Sequence, residues 1–112
     1  MFNTEELTII INKAKNAANE ASMKYLDEKL GGEDNFPCGF AWVNIFGVKG
    51  NTKQGKAFKA AGIEKDYNGA YSIWNPGNVN VQNVDVKSAG AEAAADVFTS
   101  YGFKAYAGSR LD

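Results

Sequence analysis

The segment Phe40-Ala41-Trp42-Val43-Asn44-Ile45-Phe46, followed by Gly47-Val48-Lys49-Gly50-Asn51-Thr52-Lys53-Gln54-Gly55-Lys56-Ala57-Phe58, carries most of the information about architecture. Its first seven residues are rich in aromatic and β-branched side chains and read as a strand. Phe40, Trp42 and Phe46 fall on one alternating face, and Ala41, Val43 and Ile45 on the other. Both faces are apolar, which predicts a central strand covered on both sides. Glycines at 47, 50 and 55 punctuate the residues after the strand. Asn51 or Thr52 can cap a short helix running to about Ala61, with Gly62 as its terminator. On that helix Ala57, Phe58 and Ala61 share one face, while Lys53, Lys56 and Lys59 share the other.

Upstream lies a long helix. Asn3 with Glu6 three positions later forms a capping box, with Thr4 as the alternative cap, and Gly31-Gly32 supplies the left-handed terminator. Leu7, Ile10, Ile11, Ala14, Ala17, Ala18, Ala21 and Tyr25 make one apolar stripe at helical spacing. Met23, Leu26 and Leu30 lie off it as a second apolar flank, which calls for a second partner such as another subunit. About 27 residues extend roughly 40 Å, more than the roughly 34 Å diameter of a compact domain this size. The helix must therefore break, wrap around the sheet or project beyond the domain.

Downstream, Ala70-Tyr71-Ser72-Ile73-Trp74 reads as a strand, and Asn75-Pro76-Gly77-Asn78 as a type II turn. Val79, Val81, Val84 and Val86 predict a third strand, bulged near Gln82-Asn83 where the alternation slips. Ser88 can cap a last helix carrying Ala91, Ala94, Ala95, Val97, Phe98 and Tyr101, which Gly102 ends before a short strand over 103–107. The expected architecture is a single α+β domain over 1–112. A long N-terminal helix (1–32) is followed by a β/α core (38–112), with the helices covering one face of a mixed, roughly four-strand sheet.

Composition excludes more than it assigns. The 112 residues carry 12 Lys plus Arg, 13 Asp plus Glu and no His, a formal charge of −1, which argues against a wholesale nucleic-acid coat protein. Without His, the Ser-His-Asp and Cys-His dyads and the commonest metal ligand are missing. The one cysteine, Cys38, makes neither an internal disulfide nor a thiolate zinc site; it reads as a small apolar thiol rather than a nucleophile. No metal or cofactor is expected. The first residues hold no basic region or apolar core, and no apolar run approaches 18 residues, which points to a cytoplasmic protein without a membrane partner.

Two constellations carry chemistry. Gly50-Asn51-Thr52-Lys53-Gln54-Gly55-Lys56-Ala57 matches the glycine and lysine skeleton of a phosphate-binding loop, placed between a strand and a helix as that chemistry requires. Ala57 stands where a hydroxyl would hold magnesium, which argues against a nucleotide hydrolase. Gly50, Lys53, Gly55, Lys56 and Lys59 remain candidates for an anion site, since no acidic residue occurs between Asn35 and Ile63. The plainer reading is a solvated lysine face. Trp42, Tyr67, Tyr71 and Trp74 lie near these lysines and are either core or a base-stacking platform, with Trp42 and Trp74 the candidates. A Trp74 on the sheet face away from the helices would favour stacking. Arg110 is the lone arginine, and its planar fork suits a carboxylate or a phosphate.

The glycine-lysine segment and the ending Tyr101-Gly102-Phe103-Lys104-Ala105-Tyr106-Ala107-Gly108-Ser109-Arg110-Leu111-Asp112 resemble small uncharacterised proteins of marine bacteriophages and ocean metagenomes, over about residues 38–112. The resemblance implies a viral origin, hence the host cytoplasm, which favours a small accessory protein over a metabolic enzyme, and it implies no site residue. The sequence thus leads to a non-enzymatic protein that binds phosphate or nucleic acid. The alternative is a homodimeric interaction module built on the long helix.

Overall fold

Asn3 starts the first helix as expected. Its side chain accepts from the Glu6 N–H at 2.8 Å, and the Glu6 carboxylate accepts from the Asn3 N–H at 3.2 Å. Helix α1 then runs over Thr4–Leu30 and ends at Gly31, which takes the left-handed conformation. The computed structural model describes residues 2–66 and 68–112; Tyr67 lies outside them. The molecule measures 43 × 26 × 20 Å. The long helix is thus accommodated by elongation of the whole domain along one axis. Among the described residues no helix is long and apolar enough to cross a membrane.

The remaining elements are β1 (Gly39–Phe46), α2 (Lys53–Ala60), β2 (Glu64–Lys65), β3 (Tyr71–Trp74), α3 (Val84–Ser100) and β4 (Lys104–Leu111). The sheet order is β2-β3-β1-β4, and every neighbouring pair is antiparallel, so the sheet is not mixed. β1 is central, and β4 pairs along its whole length, from Gly39↔Leu111 to Phe46↔Lys104. That full ladder carries β4 four residues beyond the predicted 103–107. It also gives Arg110 a fixed place, and it requires Gly108, where a Cβ would stand 2.6 Å from a Trp42 ring carbon. β2 is two residues long, too short for alternation to reveal.

The predicted third strand is absent, because Asn83 starts a helix there. Its side-chain oxygen accepts from the Val86 N–H at 3.0 Å, and its amide donates to the Asn35 carbonyl at 2.9 Å. The Asp34 carboxylate accepts from both the Gln82 and Asn83 N–H groups, holding the approach to the helix. Val84 and Val86 therefore lie in the first turn of α3, and Ser88 is inside the helix rather than its cap. The turn before this region also differs. Asn78 donates to the Asn75 carbonyl at 2.8 Å, yet the left-handed residues are Asn75 and Asn78, so Gly77 does not make a type II turn. Gly77 is needed for space: a Cβ there would sit 3.0 Å from the Ala18 carbonyl.

All three helices cover one face of the sheet. α3 lies directly on β1 and β4, and α1 lies beside it along its length. Leu7, Ile11 and Ala14 of α1 share one core with Phe58, Phe98, Val43, Ile45 and Tyr71. In the second half of α1 the buried line passes through Ser22 and Leu26 rather than the expected Ala21 and Tyr25. Ser22 is completely buried, and its hydroxyl donates to the Val86 carbonyl at 2.7 Å. Gly90 of α3 faces it so closely that a Cβ would collide with the Ser22 oxygen.

These contacts rank three substitutions. Asn83→Ala removes a cap and strands buried partners, and should cost about 1–3 kcal/mol in a urea titration. Ser88→Ala should change stability by less than about 0.5 kcal/mol; the reverse ranking would restore the predicted cap. Gly90→Ala should destabilise, although the same change in an open helix stabilises by about 1 kcal/mol. A raised melting temperature for Gly90→Ala would contradict the close approach of α1 and α3.

Candidate functional site

Alternation on β1 sends Ala41, Val43 and Ile45 into the core and Phe40, Trp42, Asn44 and Phe46 to the other face. The sequence predicts cover on both faces of this strand. Among the described residues only one is covered, since every helix lies on the core side. Register then assembles the bare face. Trp42 is opposite Trp74, Asn44 opposite Ser72 and Tyr106, Phe40 opposite Arg110, and Phe46 opposite Lys104. The Asn75 N–H donates to the Ala41 carbonyl, which makes Trp42↔Trp74 a non-hydrogen-bonded pair, the class in which opposed side chains approach most closely.

The two indoles are tilted by 32° with centroids 4.8 Å apart, and Phe40 meets Trp74 edge-on at 6.2 Å. Arg110 lies over both Phe40 and Trp74, at 5.3 and 6.0 Å from their centroids. From below, the buried Lys87 of α3 donates to the Gly39 carbonyl at 3.0 Å and approaches the Phe40 ring at 5.5 Å. Large rings are left open to solvent: Trp74 is 53% exposed and Tyr106 62%. Polar groups occupy the middle of the face, where the Ser72 hydroxyl contacts the Asn44 side chain and the Asp66 carboxylate. Charge is divided across it. The cations Lys104 and Arg110 stand on β4, and the carboxylates Glu64 and Asp66 stand on or beside β2. A flat, apolar, hydrogen-bonding surface with cations along one side can stack planar rings and hold an anion next to them.

Of the residues expected here, Trp42 and Trp74 are brought together. The glycine-lysine segment takes another shape. Thr52 caps α2, accepting from the Gly55 N–H at 3.1 Å, while its carbonyl accepts from the Lys56 N–H. Two N–H groups of the expected phosphate cradle are thereby used within the helix. Gly55 is buried, and a Cβ on it would strike the Lys49 carbonyl, so this glycine serves close packing. Lys53 and Lys56 are exposed on α2. Gly50 and Lys59 do come together, with Lys65 and the Tyr71 hydroxyl as unforeseen neighbours. A Cβ on Gly50 would lie 3.5 Å from the Lys59 Nζ, 3.6 Å from the Lys65 Nζ and 3.6 Å from the Tyr71 oxygen.

Sequence reasoning places Phe40 on the face of Trp42 without naming it a site residue, and it misses Tyr106, Lys104 and Arg110 as members of the face. Arg110 is visible as a lone arginine, but only the β4 register shows what it lies against. The second flank of α1 is largely used within the chain. Leu26 is buried with Val79 and Val86, Leu30 packs against them, and only Met23 of that flank stands exposed. Cys38 is half-buried before β1. Among the described residues no three His, Cys, Asp or Glu side chains group as a metal site. Comparison with family models, curated proteins and solved structures finds nothing that matches the chain.

Proposed function

We propose that this protein is a non-enzymatic binding module that stacks the bases of single-stranded nucleic acid on the bare face of its sheet. The observation that carries this reading is the Trp42–Trp74 pair, flanked by Phe40 and overlain by Arg110, on a face that no helix covers among the described residues. Burying indoles is what a sheet of this composition ordinarily does with them; leaving Trp74 half in solvent beside a guanidinium suits an anionic ligand with flat rings. The charge division sets a polarity. Phosphates pass over Lys104 and Arg110 on β4, and base edges point toward Asn44, Ser72 and Asp66, which offer donors and acceptors. Two cations make a weak electrostatic hold, in keeping with a net charge of −1.

Tryptophan fluorescence titrated with a short oligothymidylate tests the proposal. Saturable quenching is expected, with log K falling against log salt at a slope of about −1.4 for two phosphate contacts on a single strand. Trp74→Ala should weaken binding by about 1–3 kcal/mol, or roughly 5- to 150-fold, while Trp42 still reports. Lys53→Ala with Lys56→Ala should leave affinity within about twofold. A flat titration at low salt sinks the reading; loss of binding in the lysine double variant would return the contact to α2.

A second reading rests on the convergence at Gly50. Two ammonium groups near one glycine suit a single phosphate-sized anion, which would relieve their mutual repulsion, while the neighbouring Tyr71 hydroxyl already donates to the Gly55 carbonyl at 3.4 Å. Inorganic phosphate should then raise the melting temperature of the wild type more than that of the Lys59→Ala, Lys65→Ala double variant. Equal shifts in the two proteins would dismiss it.

A further inference from the structure

β4 is an edge of the sheet, bonded to β1 on one side and, among the described residues, to no strand on the other. The Asp112 N–H donates to the Cys38 carbonyl at 3.0 Å, in line with the β1–β4 register. Antiparallel pairs alternate between those that exchange hydrogen bonds and those that do not. Lys104, Tyr106, Gly108 and Arg110 therefore bond to β1, and Ala105, Ala107, Ser109 and Leu111 turn their N–H and C=O groups to the free side. Proteins usually blunt such an edge by shortness, proline, a bulge, inward-pointing charges or lysines along it, and of these β4 carries only the cations Lys104 and Arg110, both on the aromatic face. β4 has eight residues, no proline, an unbroken register and no charge on its inner side.

We infer that β4 is the interface for a second copy of this chain, joined antiparallel about a two-fold axis through Gly108. Partners across an antiparallel pair point to the same face, so the axis must pass through a residue rather than between two. An axis through Ala107 would set Lys104 opposite the partner's Arg110, two like charges. An axis through Gly108 sets Lys104 opposite the partner's Asp112 and Tyr106 opposite the partner's Arg110, an ion pair and a cation on an aromatic ring, each made twice by symmetry. On the inner side it pairs Ala105 with the partner's Leu111 and Ala107 with the partner's Ser109. Leu111, 66% exposed in the single chain, gains cover. The product is an eight-stranded sheet with both aromatic faces on one side. The inference rests on the free edge and its charges, and stands whether or not the face binds nucleic acid.

Sedimentation equilibrium of the full chain, from about 10 µM to about 1 mM, reads the association directly. The wild type should reach twice the chain mass. Ala107→Pro should remain at the chain mass with an unchanged far-UV circular dichroism spectrum, because the N–H it removes faces away from β1 and bonds to nothing among the described residues. Asp112→Lys should weaken association several-fold, and Lys104→Asp combined with Asp112→Lys should restore it. Should Ala107→Pro lose its folded spectrum, the two charge variants decide. A wild type that stays monomeric throughout overturns the inference, as does a dimer indifferent to these substitutions.

Discussion

The close approach of α3 to α1 governs how the other elements are placed. Gly90 brings the α3 backbone against Ser22 and Ala18, and the Ser22 hydroxyl closes the gap by donating to the Val86 carbonyl. Gly77 lets the loop after β3 press on the same part of α1. Small residues at 90, 91, 94 and 95 make α3 a thin helix, able to touch α1 on one side and β1 and β4 on the other. A larger side chain at this seam would force α1 away and open the layer. All three helices lie on one face of the sheet.

The bare face of the sheet is a consequence of that arrangement. A strand with two apolar faces ordinarily demands two covers, and here only one is supplied. The second face keeps its rings in solvent, arranged by the register of β1 with β3 and β4. Gly108 is part of the same design, since only glycine leaves room for the Trp42 indole over β4. Arg110 and Lys104 then add positive charge along the side of the face that also forms the free edge. The proposed stacking surface and the proposed self-association edge are adjacent, so a dimer would double the platform without burying it.

Features with a local cause are legible in the sequence. The Asn3/Glu6 box, the Gly31 terminator, β1, α2 and its Thr52 cap each arise from residues a few positions apart, and each is present. Val84 and Val86 mislead because two valines at alternate positions fit a strand or a first helical turn equally well. The deciding contacts come from Asp34 and Asn35, nearly fifty residues away. Ser22 looks like polar surface for the same kind of reason: its partner carbonyl belongs to another helix. At the site, Trp42 and Trp74 stand out as residue types, but their pairing depends on the register. The Gly50–Gly55 spacing looks like a phosphate loop, and only the Thr52 cap and the packing of Gly55 reveal that two of its N–H groups are already bonded.

Whether ligand meets the bare face of the sheet is open to a single solution experiment. Nitrogen-15 NMR of the full chain, during addition of a short single-stranded oligonucleotide, reports each candidate surface separately. The Trp42 and Trp74 indole resonances should shift, together with amides in β1, β3 and β4, including Arg110, while the amides of α1 stay unmoved. Shifts concentrated in α2, from Lys53 to Lys59, or no shifts at low salt, would contradict a ligand on that face.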